Sequence, residues 1–549
     1  MALSVHSGER SAMIQGETRG GPGRWRAVGL IAAVLVASGA MAPARALAQG
    51  EVRADDLRVA SDQERYLRAL SVLAPQDAVD SWTIRPVDGE RMIRSLATLG
   101  GPWRLDARPS PDGLRLRGAD AEFTANSGLP SFMPDGPAWS GRGTNLRASG
   151  TVTARRGRLR VRIAPMFWVA QNAAYDLVPT SGPFPWSDPA LPRSVDIPQR
   201  FGDGATARVD AGESSIELRW KYTRLALTSA AAQLGPGSDH SLIMQGNAGG
   251  FPRMELGTPG GLRTRAGTFA AQVGWGRTPH TAWAPDRRTG ALFTSYLMGT
   301  WRPSFVDRLE LGMVRLTHRD WEKITAKELF VPFGSIYSTP LVGGDYDTGS
   351  DNQLASLFAN LRVPEAGLEF FAEFGKNDRS TGWRDQAMEL EHNSAWLFGA
   401  QKVWRDGEQR LWALNLTTVS GSIAPITRFR GQAYFYEHGI MTQGHTLRGQ
   451  LLGTPLLQRE GGGELRLDRY DASGRVGLLL GTRSLPNELA ESVSPENVRQ
   501  EWTAMLDMLR WTPTGAWRAR VGGVADLGHS PLTGDAYSLH LSLGYSRRR

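Results

Sequence analysis

The feature that most limits what this chain can fold into is a set of short runs in which apolar and polar residues alternate one by one. A period of two is the geometry of a strand and does not fit a helix. From Arg158 to Ile163, Leu159, Val161 and Ile163 share one face while Arg158, Arg160 and Arg162 share the other. From Ile216 to Thr223, Ile216, Leu218, Trp220 and Tyr222 oppose Glu217, Arg219, Lys221 and Thr223. Leu368, Phe370, Ala372 and Phe374 oppose Glu369, Phe371 and Glu373. Near the end of the chain, Tyr537, Leu539, Leu541, Leu543 and Tyr545 alternate with Ser538, His540, Ser542 and Gly544.

A soluble sandwich would also alternate, so the direction of the apolar face has to be argued. Here the polar face often carries full charges, and the apolar face begins and ends with Trp or Tyr. An export signal precedes both. Together these favour a transmembrane barrel with aromatic belts and a polar interior. Hydrocarbon satisfies no backbone group, so strands within it must close on themselves. The 64 glycines and 18 tryptophans suit strands and turns, and the absence of cysteine removes disulfides, thiolate metal sites and thiol nucleophiles. The last strand starts and ends with tyrosine like a barrel-insertion signal, although Ser546 to Arg549 extend past it. About 450 residues at roughly 9 to 11 per strand plus connections allow roughly 16 to 20 strands. Stretches rich in Pro, Gly, Ser and Asp at Pro179–Gly204, Ser238–Arg265, Tyr337–Asn352 and Leu485–Asn497 read as loops.

The export signal consists of Arg24 and Arg26, an apolar run from Ala27 to Met41, and the small-x-small site Ala46-Leu47-Ala48, which would leave Gln49 as the new N-terminus. Residues 1–48 are therefore read as a signal peptide with an extra leader. Residues 49–102 form a helical segment on the periplasmic side or in a barrel end, and residues 103–549 form the barrel. In the helical segment, Tyr66, Leu67, Leu70 and Leu73 fall on one face between a cap at Ser61 and Asp62 and a stop at Pro75. A second helix is expected from Asp88 to Leu99, with Met92, Ile93 and Leu96 as its stripe and Gly100-Gly101 as its stop.

Motifs for chemistry are few. No GxxxxGK[ST] loop, HExxH helix or GxSxG elbow occurs, which leaves phosphate-cradling, zinc-protease and hydrolase readings without their entry motif. No catalytic residue, metal ligand or cofactor is assigned. His438 and His445 read as turn and lumen residues ahead of any metal or base role. His540 and Ser542 share the expected lumen face. The net charge of +8, from 63 basic and 55 acidic residues, reads first as a solvated or lumen-facing mixture, since the arginines are scattered; attraction to anionic partners such as lipopolysaccharide or an acidic polysaccharide is the alternative, and export makes nucleic acid the least suitable of them. Rings beside charged groups suit sugars, because a flat ring covers the apolar face of a pyranose and Arg grips a uronic carboxylate bidentately. Trp383, Arg384 and Asp385 have that composition, and so do Trp404 and Arg405. The competing reading of either tryptophan is a membrane belt or loop-packing residue.

The stretch from Phe429 to Leu452 reads as strand, turn and strand, with Tyr434, Phe435 and Tyr436 in the first strand and Gly439 in the turn. Tyr436-Glu437-His438-Gly439, Gln443-Gly444-His445-Thr446-Leu447-Arg448-Gly449 and Gly453-Thr454-Pro455-Leu456 resemble the core pattern of the capsule assembly Wzi family of outer-membrane barrels. The resemblance extends from the helix near Tyr66 to the strand at Tyr545. It implies an 18-strand antiparallel barrel with a small helical bundle at its periplasmic end. It also implies a non-enzymatic, lectin-like role in attaching or organising capsular polysaccharide or exopolysaccharide at the cell surface. Further expected partners are outer-membrane lipid, lipopolysaccharide and the barrel-assembly machinery. A porin for sugars or small anions is the alternative expectation.

Overall fold

The computed structural model describes residues 48–548, apart from 76–80, 109, 131–135, 179–194, 285–289, 335–350, 378–389, 391–392, 422–434, 440, 459, 486–498 and 531–532. The signal segment lies outside these residues. The strands form one closed antiparallel barrel of 18 strands. Three of the strands are interrupted: Leu159–Ile163 with Met166–Ala170, Thr206–Asp210 with Ser215–Arg219, and Arg253–Gly257 with Leu262–Thr264. Closure joins the last strand, Gly534–Arg548, to the first, Gly113–Asn126, with Leu541 opposite Ala125 and Tyr545 opposite Ala121. The pairing continues through Arg547 and Arg548, so Ser546 to Arg548 extend the strand instead of leaving it.

The alternation read from sequence sets the two faces. Phe370, Leu539, Leu541 and Leu543 are exposed on the outer wall, whereas Glu369, Glu373, Ser538, His540 and Ser542 are buried inside. Water-exposed leucines in such numbers would be unfavourable, and a surrounding hydrocarbon removes that cost. Aromatic rings mark two levels of the wall. Trp404 stacks on Trp412 at 5.8 Å, Phe269 on Trp301 at 6.1 Å, and Trp517 tilts against Tyr545 at 4.8 Å, all near short turns. Trp502, Tyr537 and the stacked pair Trp396 and Phe398 mark the opposite level. One outward area breaks the alternation. Arg315, Thr317 and Arg319 lie on the same face as exposed Met313, yet Arg315 and Thr317 are buried. The 3-10 helix Ala326–Phe333 lies over this polar area, with its Pro332 carbonyl accepting from Arg315 and its Glu328 from Arg319, and turns Phe330 and Phe333 outward.

Short turns such as 471–474, 512–515 and 363–368 gather at one end, with the long connections at the other. In outer-membrane barrels the short-turn end is periplasmic. The N-terminal segment fills that end. Its first helix, Asp62–Val72, is capped by Ser61, whose hydroxyl accepts from the Glu64 amide, and its second, Gly89–Leu96, buries Met92, Ile93 and Leu96. Both agree with the sequence reading, and Gly100 stops the second at φ 62°.

Three local expectations are corrected. Trp220 to Thr223 form a tight turn after the strand Ser215–Arg219, closed by the Trp220 amide donating to the Thr223 carbonyl, so alternation there runs past the strand's end. Of the expected loop Ser238–Arg265, residues from Arg253 onward include two strand pieces, and the part before them folds into the lumen. Of the strand-turn-strand reading of Phe429–Leu452, residues 429–434 and 440 lie outside the described residues, and the turn expected at Gly439 is corrected. Residues 435–458 form an inward-folded segment whose only described strands are Thr446–Leu447 and Gln450–Leu451. Its hairpin turns at Arg448 and Gly449, both at positive φ, the pattern of a two-residue primed turn, and not at Gly439. Strand-like apolar composition here serves a core inside the barrel: Leu447, Leu451, Leu452, Leu456 and Leu457 pack with Leu234, Leu242 and Ile243 against wall residues Tyr296, Leu316, Phe358 and Phe371.

Candidate functional site

The two ends of the lumen are held by different chemistry. At the short-turn end a buried Arg475 donates to Asp62 on the first helix at 2.9 Å, to Asp507 at 2.6 Å and to Asp468. Arg65 binds Asp239 through two nitrogens at 2.8 and 3.1 Å, and Arg68 reaches the buried Glu369 at 3.4 Å. Burial alone would raise the Asp62 carboxyl. The guanidinium groups of Arg518, Arg475 and Arg65 outweigh it and hold the acid well below the usual carboxylate range. Asp239 behaves alike, with burial opposed by Arg65 and Arg466.

Midway along the lumen, the inward segment 229–252 is held at three consecutive residues. Glu373 of the strand Leu368–Asn377 accepts from the Leu242 amide at 3.0 Å and from Ser241 at 3.4 Å, and also from Ser356 at 2.7 Å. The Tyr436 hydroxyl donates to the Leu242 carbonyl at 2.8 Å and accepts from the Thr454 amide. His445 Nε2 donates to the Ile243 carbonyl. Because a carbonyl only accepts, His445 must carry its proton on Nε2, so its Nδ1 accepts from His318 Nε2 at 2.9 Å. His318 Nδ1 then accepts from Thr294, 2.9 Å away. Burial pushes the His445 ring down to about 4, against the opposing pull of the Ile243 carbonyl.

The family-pattern residues therefore act on the packing of the lumen. Glu437 offers its carbonyl to Asn377, His438 Nδ1 accepts from the Met441 amide, and Arg448 pairs with Asp210. Gly444 and Gly449 take left-handed conformations, while Gly439 stands in open space. Gly453 is required by close approach, since a Cβ there would lie 2.2 Å from the Tyr436 hydroxyl. His540 and Ser542 are occupied by Asn126 and Glu122.

Above this core, at the long-loop end, lies a cleft of about 170 Å³. Its rings are Trp139 and Tyr175. Trp139 is set by an edge contact with Phe201 at 4.6 Å and by Gly141, where a Cβ would come within 2.5 Å of the ring. Its polar lining includes Gln199, Gln450 and Gln458, with Arg483, Arg499, Glu501, Asp526 and His529 from three neighbouring strands. Arg483 holds Glu501 through two bonds of 2.9 Å, and Arg499 holds Asp526 through Nε and Nη2. Asp526 also accepts from His529 at 2.8 Å, whose other nitrogen reaches the Asp176 carbonyl beside Tyr175. Rigid rings next to fixed donors and acceptors are what a pyranose requires.

Of the sugar-binding residues singled out from sequence, only Trp404 and Arg405 lie among the described residues. Trp383, Arg384 and Asp385 lie outside the described residues. Trp404 and Arg405 sit at the short-turn end, where Trp404 stacks on Trp412 in the outer belt and Arg405 donates inward to the Leu99 and Gly100 carbonyls. The surroundings of Trp404 match the belt reading weighed against the sugar reading. Most of the cleft's residues were missed because they arrive one or two at a time from separate loops and strands. Gly449, Gln450 and Pro455, in or beside the family pattern, are lining residues that had a sequence signal.

Closed topology, an apolar outer wall and two aromatic levels define the class: an outer-membrane β-barrel. Among solved structures, the chain is similar to Wzi of Escherichia coli, described as an outer-membrane protein involved in group 1 capsule assembly and a carbohydrate-binding β-barrel. The match has a TM-score of 0.58 at 12% identity and covers 90% of this chain and 99% of that one. OccK2 of Pseudomonas aeruginosa also matches, at a TM-score of 0.39 and 10% identity over 79% of this chain and 100% of that one. No protein-family model and no curated protein matches the sequence.

Proposed function

We propose that this chain is an outer-membrane polysaccharide-binding protein that helps attach or organise capsular polysaccharide or exopolysaccharide at the cell surface, using the cleft at the long-loop end. The observation that carries the reading is the cleft itself: Trp139 and Tyr175 beside preset amides and carboxylates, on the face opposite the N-terminal segment. The inward segments 229–252 and 435–458 serve as its rigid floor. The likeness to Wzi, described as carbohydrate-binding, supports the same reading. Trp383, Arg384 and Asp385 are proposed as a further contact along the polymer, and lipopolysaccharide as the surrounding lipid.

The test is surface polysaccharide in a deletion strain complemented with wild type or Trp139→Ala. Wild type restores the attached layer and Trp139→Ala does not; a layer fully retained in the deletion strain would sink the proposal. A second reading, a porin for sugars or small anions, is favoured by two charged cavities, one of about 210 Å³ towards the short-turn end and one of about 300 Å³ lined from Arg547 to Gly136 and Asn247. Steady conductance in planar bilayers would select it, whereas the binding reading expects none.

A further inference from the structure

The charges of the cleft decide which polymer it suits. Among the described residues, five ionisable side chains line it, and each is engaged by a group of the protein itself. The planar fork of Arg483 is spent on Glu501, with its remaining Nη1 donating to Gln458 at 2.7 Å. Arg499 addresses both oxygens of Asp526. His529 Nδ1 bonds the same carboxylate, and its Nε2 bonds the Asp176 carbonyl at 2.9 Å. Asp526 is fully buried and Glu501 nearly so.

We infer that the cleft takes an uncharged stretch of polysaccharide, recognised through hydroxyl groups and ring faces and not through uronate, pyruvate or phosphate groups. This rests on the polysaccharide-binding reading above and narrows it. A ligand carboxylate entering here would have to displace Glu501 from Arg483 or Asp526 from Arg499. That would leave a buried carboxylate unpaired next to the incoming one, two like charges in a site of low polarity. A neutral sugar meets no such conflict. Its hydroxyls donate to the outer lone pairs of Glu501 and exchange bonds with the Gln450 amide while the arginine pairs stay in place. Those pairs hold the acceptors fixed before the sugar arrives, which lowers the ordering cost of binding. The protein's net charge of +8 is thus no guide to this site, because its charged groups are already engaged with one another.

The experiment uses the detergent-folded full-length mature protein, a neutral glucan or galactan and a uronate-containing polymer of similar length, at about 0.05 and 0.5 M salt, a range that screens exposed charge pairs. The inference expects the neutral polymer to bind at least about tenfold more tightly, with salt changing its affinity by less than about twofold. It expects Trp139→Ala to abolish that binding. Glu501→Gln frees the Arg483 fork and should gain salt-sensitive binding of the uronate polymer, a gain that a misfolded variant would not produce. Tighter, steeply salt-sensitive binding of the uronate polymer to the wild type, lost in Trp139→Ala, overturns this inference while leaving polysaccharide binding intact. Binding of neither polymer overturns both.

Discussion

The two ends of the lumen solve one problem, filling the inside of a wide barrel, in opposite ways. At the short-turn end, charge does it: Asp62, Arg65 and Arg68 on one helix meet Arg475, Asp239 and Glu369. Midway along the lumen, apolar packing and hydrogen bonds to residues 241–243 do it, from neutral Tyr436 and His445 and to the Glu373 carboxylate. Buried ion pairs give little net stability but fail badly when one partner is removed. Single hydrogen bonds to backbone fail more gently. That contrast suits a fixed closure below and a ligand-bearing platform above.

The largest expected effect is at the charged end. Arg475→Met leaves Asp62, Asp468 and Asp507 facing one another and should cost about 3–5 kcal/mol. Thermal unfolding in detergent would report it, with hydrogen exchange rising first in 62–72. Equal loss of protection in 435–458 would show that the two ends are not separate.

Acid should separate them next. A histidine held neutral contributes its stability above its unfolded value of about 6.5 and loses it as pH falls through its folded value, here about 4. Residues 435–458 should therefore loosen between those limits, by on the order of 3 kcal/mol. Asp62 and Asp239 have depressed values, so the helix plug stays in place until pH falls below about 3.9. Hydrogen exchange against pH distinguishes the two, and His445→Gln should remove the earlier change.

Smaller still is Gly453→Val, which puts a Cβ 2.2 Å from the Tyr436 hydroxyl and 2.3 Å from the Leu242 carbonyl. A cost of roughly 1–3 kcal/mol confined to the loop side is expected, read as a lower unfolding midpoint with unchanged protection in 62–72.

Much of the fold could be read in advance because hydrocarbon enforces it. Leu368 to Phe374 and Tyr537 to Tyr545 had to present apolar side chains outward, and a period of two records that directly. The helix at Asp62 announced itself through the Ser61 cap and its apolar stripe. The inward segments were misread for a physical reason: Leu447, Leu451 and Leu452 carry strand-like composition, but they answer to a core inside the barrel. Arg315 and Arg319 defeat alternation because Ala326–Phe333 covers them. The cleft was illegible because Trp139, Tyr175, Glu501 and Asp526 are far apart in sequence and meet only when the barrel closes.

The most direct test of the binding account compares the two ends by their tryptophans, using the purified protein and its host's own extracellular polysaccharide. Trp139→Ala should weaken binding at least about tenfold, roughly 1.4 kcal/mol, while Trp404→Ala, at the other end, leaves it unchanged. Binding that survives Trp139→Ala, or falls with Trp404→Ala instead, would contradict it.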